Sequence, residues 1–197
     1  MEKLVVATKN KGKIAEIKKV LQTMPFEVLS MGDIGITVDV VEDGKTFEEN
    51  SLKKAVEICS ICKTIVIADD SGIEVDYLDG APGIYSARFG GPEATDGDRN
   101  EKLLHMLKEV PFEKRTARFV CAIAVAFADG RSFVVRDNCE GFVDFKCKGD
   151  NGFGYDPLFY VREYDKTMAE LSMDIKNKIS HRAKALEKMA DKIKDYL

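Results

Sequence analysis

Along the first third of the chain, short apolar runs typical of strands alternate with segments whose apolar residues recur at helical spacing. The run KLVVAT predicts a strand, and after the polar corner KNKGK the residues Ile14, Ile17 and Leu21 recur at helical spacing. FEVLS predicts a second strand, and a helix follows from Thr46, with acids in its first turns. TIVIAD is almost continuously apolar, as expected of a strand covered on both faces. Strands and helices therefore alternate here.

The remainder of the chain is richer in predicted strands. A turn-rich stretch at residues 79–97 precedes a predicted helix over Arg99–Lys108, and Asp129 and Gly130 join two long apolar runs as a hairpin. We therefore expect one α/β domain spanning residues 1–197, with a long mixed sheet flanked by helices. Two lobes around a cleft are a secondary expectation. A last, basic helix presents four apolar residues to the core, which are Leu186, Met189, Ile193 and Leu197.

Composition and charge narrow the possible partners. The 197 residues carry a formal net charge of −4, which offers no overall attraction to nucleic acid, so any phosphate binding must be local. The longest uncharged run, FVCAIAVAFA, is far shorter than the roughly 20 residues that cross a bilayer. The five cysteines are an odd number, and the first residues lack a signal-peptide pattern. We expect a cytoplasmic protein that binds neither nucleic acid nor membrane.

The corner TKNKGK is the first candidate for chemistry. It lies between a predicted strand and a predicted helix, where free backbone N–H groups and the helix dipole attract anions. Lys9, Lys11 and Lys13 add positive charge. A solvated lysine-rich turn is an equally good explanation of this segment taken alone, and the pattern is not that of a P-loop.

The stretch IVIADDSG is the second candidate. Side chains alternate along a strand, so Asp69 and Asp70 point to opposite sides if the strand continues through both, and only one of them faces a given site. An aspartate at a strand end, followed by a serine, suits Mg²⁺, which takes few carboxylates and keeps water and phosphate as its other ligands. Either acid could instead be a turn or cap residue.

The segment GFGYDP is the third candidate. Its glycines allow a ligand to approach the backbone closely, and Phe153 and Tyr155 offer flat faces on which a base can stack. The spacing does not match the dinucleotide-binding fingerprint. A plain aromatic turn explains the segment nearly as well.

The segment KNKISHR is the fourth. In one unbroken helix, Lys176, His181 and Arg182 would spread around the axis and could not converge. If Ser180 caps the last helix, His181 and Arg182 lie in its first turn and Lys176 can fold toward them from the preceding loop. Three donors in one place could bind a phosphate or a base carbonyl. A solvated basic face is the alternative.

Taken together and in order, five motifs closely resemble the inosine triphosphate pyrophosphatase family: TKNKGK, GKTFEENSLKKA, IADDSGIEVDYLDGAPGIYSARF, GFGYDPLF and KNKISHR. The resemblance runs from Thr8 to Arg182. It implies an elongated α/β fold, a homodimer, and Mg²⁺-dependent hydrolysis of ITP, dITP or XTP to the monophosphate and pyrophosphate. Maf-like pyrophosphatases of other nucleotides and a non-catalytic nucleotide-binding protein are the alternatives, and the FGYDP and SHR segments argue against the former.

The same resemblance implies roles for individual residues. Asp70 would be the general base and, with Glu42, a metal ligand. Two departures from the family pattern bear on this: Lys9 replaces a frequent glycine, and the order Glu42, Asp43 replaces adjacent glutamates, which leaves the choice between these two acids open. The implied substrate-binding residues are Thr8, Lys9, Asn10, Lys11, Gly12, Lys13, Lys54, Ser71, Phe153, Gly154, Tyr155, Asp156, Lys176, His181 and Arg182.

Overall fold

A computed structural model describes residues 2–196, and within them it contains a seven-stranded sheet in the order β2-β1-β3-β4-β5-β6-β7. Strand β1 pairs in parallel with β2 and β3, whereas β6 pairs antiparallel with β5 and β7. The predicted α/β class with a mixed sheet is therefore confirmed. The strands are β1 (Glu2–Val6), β2 (Phe26–Ser30), β3 (Ile65–Val75), β4 (Thr116–Ala126), β5 (Ser132–Val143), β6 (Phe159–Val161) and β7 (Lys166–Thr167). The helices are α1 (Lys11–Leu21), α2 (Phe47–Cys62), α3 (Asp96–Met106), α4 (Met173–Ile179) and α5 (His181–Lys192).

Capping residues explain where the first three helices begin. The side chain of Asn10 accepts a hydrogen bond from the backbone at the start of α1, and Thr46 caps α2 as expected. Helix α3 begins three residues earlier than the predicted start at Arg99. The reason is a reciprocal pair of hydrogen bonds between Thr95 and Asp98, which fixes its first turn.

Two boundaries differ from the sequence prediction. Strand β3 does not end at the two aspartates but continues to Val75, because both carboxylates have buried partners, described below. The link expected before the last helix contains the short helix α4, so Lys176 is helical and the predicted loop position was wrong. Helix α5 begins at His181, as predicted. The predicted core position Leu197 lies outside the described residues.

The chain divides into two compact units. Unit 1 comprises the residues up to Asp70, the segment Cys121–Asp137 and the residues from Arg182 onward; unit 2 comprises Ser71–Val120 and Asn138–His181. In unit 1, successive residues of β1 and β3 face opposite sides of the sheet, as strand geometry requires. One row packs with α1 and α5 and contains Leu4, Val6, Ile65 and Ile67. The other row packs with α2 and contains Val5, Ala7, Val66 and Ala68.

Unit 2 has its own apolar core. It includes residues of α3, of the end of β3, of the start of β4 and of the end of β5. It also contains a buried arginine, Arg115, whose guanidinium donates hydrogen bonds to the carbonyls of Leu107, Val110 and Asp144. Three backbone acceptors satisfy this charge without a carboxylate in direct contact, so Arg115 ties a helix end to the sheet.

Candidate active site

Asp69 is the centre of a buried ionic cluster in unit 1. Lys13 Nζ lies 3.0 Å from Asp69 Oδ2, and Arg182 reaches the same oxygen at 3.3 Å. Arg182 also pairs with the buried carboxylate of Glu16 on α1. Burial alone would raise the pKa of Asp69, but Lys13, Arg182 and Lys54 outweigh it and hold that pKa well below its usual range. Asp69 is therefore an anion at neutral pH, and it orders the cations around it.

Asp70 has the opposite electrostatic setting. It continues the strand row that faces α2, and Asn50 Nδ2 of that helix donates a hydrogen bond to Asp70 Oδ2 at 3.0 Å. Burial raises the pKa of Asp70, and the negative charge of Glu42 raises it further, although Lys54 opposes both. A carboxylate with a raised pKa is better suited to accept a proton than Asp69.

Lys54 contacts both the segment that contains Glu42 and the backbone of β3. Its ammonium donates to Glu42 Oε1 at 2.6 Å and to the backbone carbonyl of Asp69 at 2.7 Å. Burial would lower the pKa of Lys54, but Asp69, Glu42 and Asp70 together raise it, so the side chain remains charged. Lys54 and Glu42 also line a cavity of about 140 Å³ in unit 1, whose walls further include Thr8, Lys9 and Asp39.

The corner TKNKGK is only partly directed inward. Lys13, in the first turn of α1, turns to Asp69, whereas Lys9 is exposed and pairs with Asp39 at 2.6 Å. Thr8 Oγ1 accepts a hydrogen bond from the backbone N–H of Asn10, which shapes the turn before the helix. The remaining predicted phosphate-binding residues, Lys11 and Gly12, form the first turn of α1. The structure thus places an N-terminal helix turn and one inward lysine beside the carboxylates.

Glu42 and Asp70 fit a divalent cation bound together with a substrate. The negative charge of Glu42 raises the pKa of Asp70, and the Lys54 ammonium pairs with Glu42 and interacts electrostatically with Asp70. Within residues 2–196 there is no group of three or more histidine, cysteine or acidic side chains that could hold a metal. Mg²⁺ is suited to such a pair, since it commonly binds through one or two carboxylates plus phosphate oxygens and water. Asp43 instead pairs with Lys53 on the surface.

The segment GFGYDP lies in unit 2 and is organised by Asp156. Its carboxylate accepts hydrogen bonds from the backbone N–H of Phe153 at 2.9 Å and from Lys176 Nζ at 2.7 Å, and both charged side chains are buried. The same ammonium lies 4.9 Å from the centre of the Phe153 ring. Gly152 has a φ of +80°, and an added Cβ would come within 2.0 Å of Asp156 Oδ2. The glycine is therefore required by the turn itself.

The two residues between Phe153 and Asp156 are held by their neighbours. Gly154 donates its N–H to Asp96 and accepts at its carbonyl from Asn100, both on α3. Tyr155 is buried, and its hydroxyl donates to the carbonyl of Ser86 at 2.8 Å. Burial raises the pKa of this phenol. Tyr155 is thus a core residue, and Phe153 is the aromatic side chain of this segment that stays partly exposed.

The KNKISHR segment divides among different partners. Lys176 belongs to the Asp156 pair, and the His181 ring stacks on Phe119 at 4.8 Å within unit 2. Arg182 belongs to the Asp69 cluster of unit 1. The convergence of these three donors on one ligand stays a prediction. Ser71 follows Asp70 on β3 and is half-buried.

The sequence patterns did not identify the buried polar residues that position the predicted site residues. Asn50 and Glu16 are buried polar residues on α2 and α1, and Asp96 and Asn100 secure Gly154 from α3. The one available signal was a polar residue on the apolar side of a helix, which holds for Asn50, one turn after the buried Phe47. That signal alone does not identify a partner.

The mixed sheet with its helices, and the cluster of lysines and carboxylates around Asp69 and Asp70, define an α/β protein with a charged, largely buried site. The chain belongs to the Ham1 family, whose sequence model matches residues 4–192. A protein of Bacillus cereus described as a dITP/XTP pyrophosphatase is 50% identical over 198 residues, covering 100% of this chain and 97% of the relative. A Clostridium perfringens protein with the same description is 49% identical over 203 residues, covering 100% of this chain and 100% of the relative. The solved Staphylococcus aureus Ham1 protein superposes with a TM-score of 0.89 at 39% identity over 100% of both chains. The family resemblance found in the sequence is confirmed.

Proposed function

We propose that this protein is a nucleoside-triphosphate pyrophosphatase that hydrolyses non-standard purine nucleotides, ITP, dITP and XTP, to the monophosphate and pyrophosphate. The observation that carries the proposal is the contrast between two adjacent buried aspartates. Asp69 is held as an anion among cations, and Asp70 has a raised pKa beside Lys54. The Bacillus and Clostridium relatives, described as dITP/XTP pyrophosphatases, support dITP and XTP as substrates.

In the proposed reaction Asp70 accepts a proton from a water molecule whose oxygen bonds to the α-phosphorus. The bond from that phosphorus to the oxygen bridging to the β-phosphorus breaks, and pyrophosphate leaves with the electron pair. Lys13 and Lys54 stabilise the charge that develops on the phosphate oxygens, which is the dominant contribution in phosphoryl transfer. Glu42 and Asp70 would hold Mg²⁺, which when bound neutralises phosphate charge.

For base selection, we propose that Lys176 and the exposed face of Phe153 act in unit 2. Hypoxanthine and xanthine carry a carbonyl at position 6, where adenine carries an amino donor, so donors such as the Lys176 ammonium favour the former. Asp156 pairs with this ammonium and fixes its position. The remaining substrate contacts implied by the family resemblance, including Ser71, His181 and Arg182, stay proposals.

A panel of nucleotides tests the reaction. Pyrophosphate and orthophosphate release would be measured with ITP, dITP, XTP, ATP, GTP and their deoxy forms, with and without Mg²⁺. We expect pyrophosphate from the first three in the presence of Mg²⁺ and little from ATP. Release of orthophosphate would refute cleavage between the α- and β-phosphates, and preference for other nucleotides would favour the Maf-like alternative. Binding without turnover would favour a nucleotide sensor.

Assembly and setting are also proposals. We expect a homodimer in the cytoplasm. Light scattering coupled to gel filtration would measure the oligomeric state, and a monomer at working concentrations would contradict the expectation of a dimer. No helix within residues 2–196 is long and apolar enough to cross a membrane. The net charge of −4 supports the expectation of no nucleic-acid partner.

A further inference from the structure

Asn50 on α2 is a fully buried polar residue that connects two parts of the candidate site. Its Nδ2 donates to Asp70 Oδ2 at 3.0 Å, and its Oδ1 accepts from the backbone N–H of Gly44 at 2.8 Å. A backbone N–H can only donate, so the amide oxygen must face Gly44 and the amino group must face Asp70. The orientation of this side chain is therefore determined by its partners.

The loop before α2 is closely packed onto this amide. A Cβ added at Gly44 would lie 2.7 Å from Asn50 Oδ1 and 2.8 Å from the Cβ of Glu49. Contacts this short are sterically excluded, so only glycine allows the loop to approach Asn50 as it does. Gly44 has no positive φ, and its requirement is one of space alone.

Gly44 is two residues from Glu42, so Asn50 links the loop that carries Glu42 to the strand that carries Asp70. Lys54 lies one helical turn after Asn50, on the same side of α2, and donates to Glu42 and to the backbone carbonyl of Asp69. Two residues one turn apart on α2 thus each contact both the loop and β3. Helix α2 therefore holds the loop that carries Glu42 against the segment of β3 that carries Asp70.

We propose that Asn50 is a positioning residue that fixes the spacing of Glu42 and Asp70 and thereby favours Mg²⁺ over larger divalent cations. The inference rests on the proposed function, in which these two carboxylates hold Mg²⁺. Mg²⁺ demands near-octahedral geometry with short bonds of about 2.0–2.1 Å, whereas Ca²⁺ accepts longer and more variable ones. A loosened carboxylate pair therefore weakens Mg²⁺ binding more than Ca²⁺ binding.

Three variants separate spacing from general stability. Asn50→Leu keeps the branched shape of the side chain and removes both hydrogen bonds. Gly44→Ala pushes the loop off an intact Asn50, and it tests the same link if Asn50→Leu does not fold. Ser51→Ala is the matched control, because Ser51 is equally buried on the same helix and its hydroxyl donates to the Glu48 carbonyl outside the site.

Calorimetric titration with Mg²⁺ and with Ca²⁺, without nucleotide, is the main measurement, and the Mg²⁺ concentration that half-activates pyrophosphate release is the second. Residues that orient metal ligands commonly contribute about 10- to 100-fold in affinity. We expect the Mg²⁺ dissociation constant to rise about tenfold in Asn50→Leu and several-fold in Gly44→Ala, with less than about a twofold change for Ca²⁺. Ser51→Ala should match the parent for both ions.

An unchanged ratio of Mg²⁺ to Ca²⁺ affinity in both site variants would overturn the inference, as would an equal loss in Ser51→Ala. These outcomes leave the proposed reaction standing. A parent protein that cleaves nucleotides equally well without any divalent cation would overturn the metal assignment and this inference together. A parent that binds Mg²⁺ but cleaves no nucleotide would overturn the proposed reaction alone.

Discussion

Asp69→Asn and Asp70→Asn should have opposite effects on stability and turnover. Asp69→Asn leaves the buried cations of Lys13 and Arg182 without their shared anion. Removing one partner of a buried ion pair typically costs about 3–5 kcal/mol, and we expect roughly 3 kcal/mol because asparagine can still accept one hydrogen bond and Glu16 still pairs with Arg182. In a chain of this size that lowers Tm by roughly 6–12 °C. Asp70→Asn removes a buried charge whose pKa is raised, so stability at pH 7 should not fall.

Turnover should show the reverse order. Loss of a general base costs about 10²- to 10⁴-fold, so Asp70→Asn should nearly abolish pyrophosphate release, whereas Asp69→Asn acts only through the placement of Lys13 and should lose less. The measurements are kcat with ITP at a temperature where both variants are folded, and urea unfolding followed by circular dichroism. Asp39→Asn is the control for stability, since its pair with Lys9 is exposed and should contribute nothing measurable.

The pH dependence gives a separate test of Asp69. Its folded pKa lies below its unfolded value of about 3.9, so its stabilisation is fully present above that value and is lost as pH falls toward the folded pKa. The stability difference between the parent and Asp69→Asn should thus stay constant from pH 7 to about pH 5 and shrink below about pH 4. A variant as stable as the parent at pH 7, or one that loses more turnover than Asp70→Asn, would show that the two roles are reversed.

Two further predictions concern unit 2. Lys176→Met should reduce the preference for ITP over ATP, measured as the ratio of kcat/KM, by about tenfold or more, since a charged hydrogen bond is lost; an undiminished preference would argue against a role in base selection. Gly152→Ala should lower the free energy of unfolding by roughly 1–3 kcal/mol in urea titrations, because its φ is +80° and its Cβ would displace the Asp156 carboxylate. Unchanged stability there would show that the turn can relax.

Several features of the fold follow from local chemistry and were predictable. Thr46 begins α2 because its hydroxyl caps the helix, and Asp129 and Gly130 form the turn between β4 and β5, where Gly130 has a φ of +92°. The alternation of Asp69 and Asp70 also follows from strand geometry, which places their side chains on opposite faces. Each of these depends on residues close together in the chain.

Other features were not predictable because their causes lie far away in sequence. Strand β3 continues past two aspartates only because Lys13, Arg182 and Asn50 satisfy them, and a polar pair alone predicts a strand end. Likewise, the family motifs pointed to Arg182 as a substrate contact, but not to its place in a buried cluster with Glu16, 166 positions away in the sequence.

The sequence by itself determined the α/β class, the family, and the segments that carry charge and glycine, because periodicity, caps and ordered motifs are local properties. Only the tertiary structure decided which of two adjacent aspartates is a fixed anion and which has a raised pKa. That difference depends on burial and on cations contributed by α1, α2 and α5, and long-range packing alone brings those helices to one segment of β3. IVIADDSG therefore contains both acids, and the surrounding fold gives them different chemistry.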